Sequence, residues 1–131
     1  MSPAGRPEPA TFGPIDAGDL RELAQILADP NPIHLDAAAA AEVGLGDRPV
    51  AQGPLAVGYL LSAVARTWPQ AAIRAVDLGF FGPVFAGDRP AVTVETGPAD
   101  GGLVTGEVRV EVDGHRVVAG QVTLAVDPEG H

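Results

Sequence analysis

The chain has 131 residues, 46% apolar and 19% charged, with 8 basic residues against 17 acidic ones, a net charge of −9 and no cysteine. A domain of this length buries roughly two-thirds of the surface its unfolded chain exposes, so this composition supports one core and argues against disorder. The lack of cysteine excludes a disulfide framework, a zinc ribbon and a thiolate nucleophile. The basic residues are all Arg and stand singly, with no stripe to neutralise a phosphate backbone, so nucleic acid is not an expected partner.

Met1 to Pro9 is rich in Pro, Gly and Ala and has little to bury, so a frayed arm over 1–9 is expected, then a single domain over 10–127 and a short tail over 128–131. The opening residues carry no apolar signal segment, and a cytoplasmic location is the expectation. Ala10 to Ile15 reads as a short strand. Asp16 or Gly18 then opens a helix whose Leu20, Leu23, Ala24, Leu27 and Ala28 recur at the spacing of a core-facing stripe. Asp29-Pro30-Asn31-Pro32 breaks that helix, because each Pro lacks an N–H and biases the preceding residue toward extended backbone. Asp36 is placed to cap a short Ala-rich helix over Ala37 to Val43, with Gly44 closing it.

Leu45 to Gln52 is a connection, and Gly53-Pro54 starts a helix that is apolar nearly all round: Leu55, Val57, Leu60, Leu61 and Val64. Its strongly apolar run, Pro54 to Ala65, falls short of the about 20 residues that a membrane span needs, so it is expected inside the protein. Four β-rich runs follow, Ala72 to Phe81, Ala91 to Thr96, Leu103 to Val112 and Arg116 to Val126, with Asp113-Gly114 as a strong hairpin turn. In the third run Val104, Gly106, Val108, Val110 and Val112 alternate with Thr105, Glu107, Arg109 and Glu111, which predicts one wet face. An antiparallel sheet curled around one apolar helix is the α+β hot-dog arrangement. One such sheet is too small to bury the helix on every side, so a dimer is expected.

Asp29-Pro30-Asn31-Pro32-Ile33-His34 sets a carboxylate and an imidazole five residues apart on a proline-stiffened loop. Held together, the two can grip a water and move protons to or from a substrate carbon, chemistry that contributes about 10²–10⁴-fold. The spacing equally admits a structural role: Asp29 capping a turn, Asn31 bonding its own backbone, and His34 packing beneath the next helix. Asp29, His34 and Asp36 could be imagined as metal ligands, but His115 lies beside a hairpin turn and His131 is terminal, so no metal is expected.

The run from Asp29 to Asp36 resembles the Asp-x-Asn-Pro-(Ile/Leu)-His-x-Asp signature of the MaoC-like, or (R)-specific enoyl-CoA hydratase, family. Val50-Ala51-Gln52-Gly53-Pro54-Leu55 resembles that family's Val-x-His-Gly-Met segment at the start of the central helix, and Phe80-Phe81-Gly82-Pro83-Val84-Phe85-Ala86-Gly87-Asp88 its later aromatic, Pro-Val and Gly-Asp elements. The resemblance covers roughly residues 10 to 126. It implies a hydro-lyase that adds water to, or removes it from, a thioester of coenzyme A or an acyl carrier protein, with no cofactor beyond the pantetheine arm of the substrate itself. It further implies Asp29 and His34 as the catalytic pair, Asn31 as the residue that shapes their loop, and the Gly53 N–H as the donor to the thioester oxygen. Such a donor suits a helix N-terminus, where free N–H groups and the dipole both favour negative charge.

Three positions depart from the pattern: Ala28 for a Gly or Ser, Gln52 for His and Pro54 for Met. Ser62 is the one serine in the central helix, with packing as its simpler role. Arg66, Arg74 and Arg89 are candidates to reach a substrate phosphate, though surface charge explains each. A thioesterase on the same fold and a subunit that pairs with a different hot-dog chain are the alternatives.

Overall fold

A computed structural model of the chain describes residues 9–29 and 31–126. The expected tail over 128–131, and the expected arm apart from Pro9, lie outside the described residues. The elements run β1 (Ala10–Thr11), α1 (Ala17–Ile26), α2 (Ala37–Glu42), α3 (Gly53–Thr67), β2 (Ala72–Phe80), β3 (Ala91–Asp100), β4 (Leu103–Val112) and β5 (His115–Ala125). The strands form one five-stranded sheet in the order β1-β3-β4-β5-β2, every neighbour antiparallel. With α3 across β3 and β4, this is the expected hot-dog architecture.

Local chemistry explains most boundaries. Asp16 caps α1 by accepting from the Gly18 N–H over 2.9 Å, and Asp36 does the same for α2 through the Ala38 N–H. Asp113 (φ 51°) and Gly114 (φ 80°) give the β4–β5 turn two left-handed residues, which matches the twist of a tight hairpin. Alternation holds along β4: Val104, Val108, Val110 and Val112 are buried, while Thr105 and Glu107 are exposed. Arg109 is not simply solvated but half-buried, 3.8 Å from Glu95 on β3 and 3.4 Å from Glu111.

Four expectations need correction. Regular pairing of the first strand stops at Thr11 instead of Ile15, because Pro14 has no N–H to donate; Phe12 and Ile15 still bond the Asp88–Pro90 segment. Strand β3 runs on to Asp100, since a register shift between Thr96 and Ala99 absorbs Gly97-Pro98. Leu27 and Ala28 leave the buried stripe of α1, which ends before them. Helix α3 begins at Gly53, so Pro54 is its second residue, and it is buried on one side only: Ala56, Leu60, Ala63 and Val64 face the core, while Gly58, Ser62 and Ala65 are exposed.

The core lies between that face of α3 and the sheet, with Leu60 and Val64 joined by Val92, Val108, Val110, Val118, Val122 and Leu124. Strand β2 sits at the sheet edge, bonded only to β5 among the described strands, and is exposed from Ala72 through Asp77. The β2–β3 connection is pinned by the buried Asp88 carboxylate, which accepts from the Phe85 N–H at 2.8 Å and from Arg48 at 3.0 Å. Tyr59 stacks on Phe12 at 4.8 Å, and its phenol is pushed above its ordinary range by burial and by the nearby Asp19 carboxylate.

Candidate active site

The end of α1 positions the carboxylate. The Ala28 N–H donates to the Gln25 carbonyl and the Asp29 N–H to the Ala24 carbonyl, the paired bonds of a Schellman closure. Ala28 occupies the left-handed position of that closure, φ 51°, where glycine is usual. Asp29 is therefore the residue that finishes the helix cap. Its Oδ1 accepts from the Asn31 N–H, and Asn31 Oδ1 accepts from the Ile33 N–H, both at 3.2 Å, folding the chain into a single 3₁₀ turn over Pro32–His34. Asn31 thus shapes the loop, as the sequence resemblance implies.

That turn brings His34 back against Asp29, with Nε2 at 3.3 Å from Oδ2. The imidazole is buried, whereas 37% of the Asp29 side chain stays open to solvent. The other ring nitrogen, Nδ1, lies 2.6 Å from the carbonyl oxygen of Val50. A carbonyl only accepts, so Nδ1 carries the hydrogen, and in the neutral ring Nε2 presents its lone pair toward Asp29. The pair thus presents two acceptors to one point, which is where a proton or the hydrogens of a water belong. The structural roles open in the sequence are present as well, since the Asp29 carboxylate uses one oxygen for the turn and leaves the other for His34.

Val50 also joins the pair to the start of α3. Its N–H donates to the Ile33 carbonyl at 2.8 Å while its carbonyl holds His34, and the Ala51 N–H bonds the Val84 carbonyl. Three residues later Gly53 opens α3, and a three-residue span is at most about 10–11 Å. No hydrogen bond from the Gly53 N–H is made among the described residues, as expected for the first turn of a helix. A side chain at Gly53 would meet the Phe80 ring 3.5 Å away, so an aromatic residue at the end of the edge strand flanks the free N–H. A cleft of about 430 Å³ opens beside Asp29, lined by Arg21, Ala24, Gln25, Ala28, Asp29 and Leu35.

The remaining candidates do not join this cluster. Asp36 is spent on capping α2, and Ser62 is on the exposed side of α3. Arg66 lies over the Phe12 ring at 5.0 Å, and Arg74 and Arg89 are exposed. Sequence reasoning missed the Val50 carbonyl, because a backbone acceptor leaves no residue signature. Phe80 was legible only as part of a motif, with its place beside Gly53 set by the register of β2 on β5.

The sequence matches the model of the MaoC like domain over residues 5–125. The chain belongs to the MaoC-like family. No curated protein matches it in sequence. Among solved structures it is similar to the (R)-hydratase from A. caviae involved in PHA biosynthesis, with TM-score 0.82 and 23% identity over 97% of this chain and 100% of that one. It is also similar to the R-hydratase PhaJ1 from Pseudomonas aeruginosa, with TM-score 0.77 and 30% identity over 93% of this chain and 81% of that one. A third similar structure is the ChsH1-ChsH2 complex from Mycobacterium tuberculosis, with TM-score 0.79 and 20% identity over 91% and 93% of the two chains.

Proposed function

We propose that this MaoC-like chain catalyses the reversible addition of water across a 2-enoyl thioester, giving a 3-hydroxyacyl thioester carried on coenzyme A or on the phosphopantetheine arm of a carrier protein. The observation that carries this reading is the 3.3 Å approach of His34 Nε2 to Asp29 Oδ2 with the imidazole tautomer set by Val50. The likeness to proteins described as (R)-hydratases supports it.

In the forward direction a water donates to Asp29, whose carboxylate takes its proton as the oxygen bonds to C3. The π electrons move to the thioester, and the enolate oxygen accepts from the Gly53 N–H, where the positive end of α3 favours the charge. The proton passes from Asp29 to His34 Nε2 and on to the α carbon, restoring the pair. In reverse, Nε2 removes the α proton and passes it to Asp29, the enolate is held at Gly53, and the hydroxyl leaves as water with that proton from Asp29.

Two copies are proposed to associate along β2. That strand exposes unpaired backbone groups together with Ile73, Val76 and Phe80, and its charged residues are only Arg74 and Asp77, little protection for a free edge. The likeness to a chain of the ChsH1-ChsH2 complex leaves a different hot-dog chain as the other kind of partner.

The test is incubation of the purified chain with a trans-2-enoyl thioester on each carrier. Gain of one water with no free thiol supports the reading. Release of thiol without hydration makes the chain a thioesterase and overturns it.

A further inference from the structure

We propose that Gln52 is a positioning residue that fixes the Gly53 N–H relative to Asp29 by tying the start of α3 to α1. The role in turnover rests on the reading of Gly53 as oxyanion donor; the tie itself does not. The Gln52 side chain is 2% exposed, and its Nε2–H donates to the carbonyl oxygen of Leu20, a fully buried residue of α1, at 3.0 Å. Its Oε1 is also buried and has no hydrogen-bond partner among the described residues.

These facts determine the orientation of the amide. The Leu20 carbonyl can only accept, so reversing the amide would set two oxygens against each other and leave the NH₂ group unpaired. The amide is therefore held by one bond, at the expense of a buried acceptor left empty. Such an unsatisfied group carries a desolvation cost that an apolar side chain of the same length would avoid. A residue chosen for stability alone would not be glutamine here.

The location gives the bond its use. Gln52 is the cap residue of α3, yet its side chain makes no bond to the first-turn N–H groups, as the usual Ser, Thr, Asp or Asn cap would. It turns inward and leaves the Gly53 N–H without a side-chain partner. At the other end of the bond, α1 continues from Leu20 to the Schellman closure that holds Asp29. One side-chain hydrogen bond thus references the helix that carries the base to the helix that carries the oxyanion donor. The Val50–Ile33 and Val50–His34 bonds grip the same segment two residues earlier.

The test compares the full-length wild type with Gln52→Met, which keeps length and burial but cannot donate, and Gln52→His, whose ring N–H can. Three quantities are read: the thermal midpoint, amide hydrogen exchange at Leu55, whose N–H bonds the Gln52 carbonyl in the first turn of α3, and kinetics on a trans-2-enoyl-CoA. Gln52→Met is expected to melt at or above the wild-type temperature, to exchange at Leu55 about tenfold faster, and to lose about tenfold in kcat with KM changed less than roughly threefold. Gln52→His is expected to restore both exchange and kcat to within roughly threefold. Wild-type exchange at Leu55 in Gln52→Met overturns the proposal, as does faster exchange with kcat unchanged or a loss that merely follows a fall in melting temperature. Faster exchange in Gln52→Met, reversed in Gln52→His, in a protein whose wild type hydrates no enoyl thioester upholds the tie and overturns the hydratase reading instead.

Discussion

The Nδ1–H of His34 donates to the Val50 carbonyl over 2.6 Å, so in the neutral ring the opposite nitrogen faces the Asp29 carboxylate as a lone pair. A backbone acceptor cannot be titrated or rotated away, which makes this a durable way to set the tautomer. The same residue, Val50, leads by three positions to the N–H of Gly53, so the segment that holds the His34 ring also opens α3.

Gly53→Pro tests the oxyanion donor proposed at the start of α3. Proline suits the first position of a helix, and Gln52 already has the extended backbone, φ −65° and ψ 145°, that a residue before proline requires. The substitution removes the N–H and sets the ring Cδ in its place, while the added Cβ meets the Phe80 ring at an ordinary contact of 3.5 Å. Turnover should fall about 10²–10³-fold, the loss seen when one oxyanion donor is deleted. Circular dichroism melting that stays near the wild-type midpoint would confirm that the fold is kept and the loss is local to the start of α3.

Ala28→Gly relieves strain beside the site. An L-residue in the left-handed region costs about 1–2 kcal/mol, and glycine escapes that at an unfolded-state penalty of about 0.4–1 kcal/mol. Net stabilisation of about 0.5–1 kcal/mol is expected, a rise of roughly 2–5 °C in the melting midpoint by calorimetry. The Schellman bonds stay, so the Asp29 carboxylate should stay where it is.

Both positions show what a sequence can disclose. The Asp29–His34 pair was legible because a proline-stiffened loop limits how far apart its two ends can lie, and the helix caps because Asp16 and Asp36 are the short acceptors that free N–H groups need. Ala28 was misread as a buried helix residue, since a left-handed stop is normally announced by Gly or Asn. An uncovered side on α3 was legible, since one small sheet cannot bury a helix on every side; that Leu55, Val57 and Leu61 are only half-buried was not, because it depends on how far the sheet curls. Gly97-Pro98 signals a strand end by local rules, yet β3 continues through a register shift beyond the two-residue reach of β1.

Val76→Asp tests the edge strand. Val76 is 40% exposed on β2 opposite Val122, and a carboxylate there would put a charge on the edge proposed to pair. Wild-type chain should sediment as a dimer and Val76→Asp as a folded monomer. A wild-type monomer at micromolar concentration would contradict association along β2.

The most direct measurement follows the conjugated-enoyl absorbance of a short trans-2-enoyl-CoA with wild type, Asp29→Asn and His34→Ala side by side, with free thiol assayed in each. The account predicts that wild type alone removes the absorbance without thiol release, and that each variant is slower by about 10²-fold or more while folded. Variants that hydrate at the wild-type rate would contradict it.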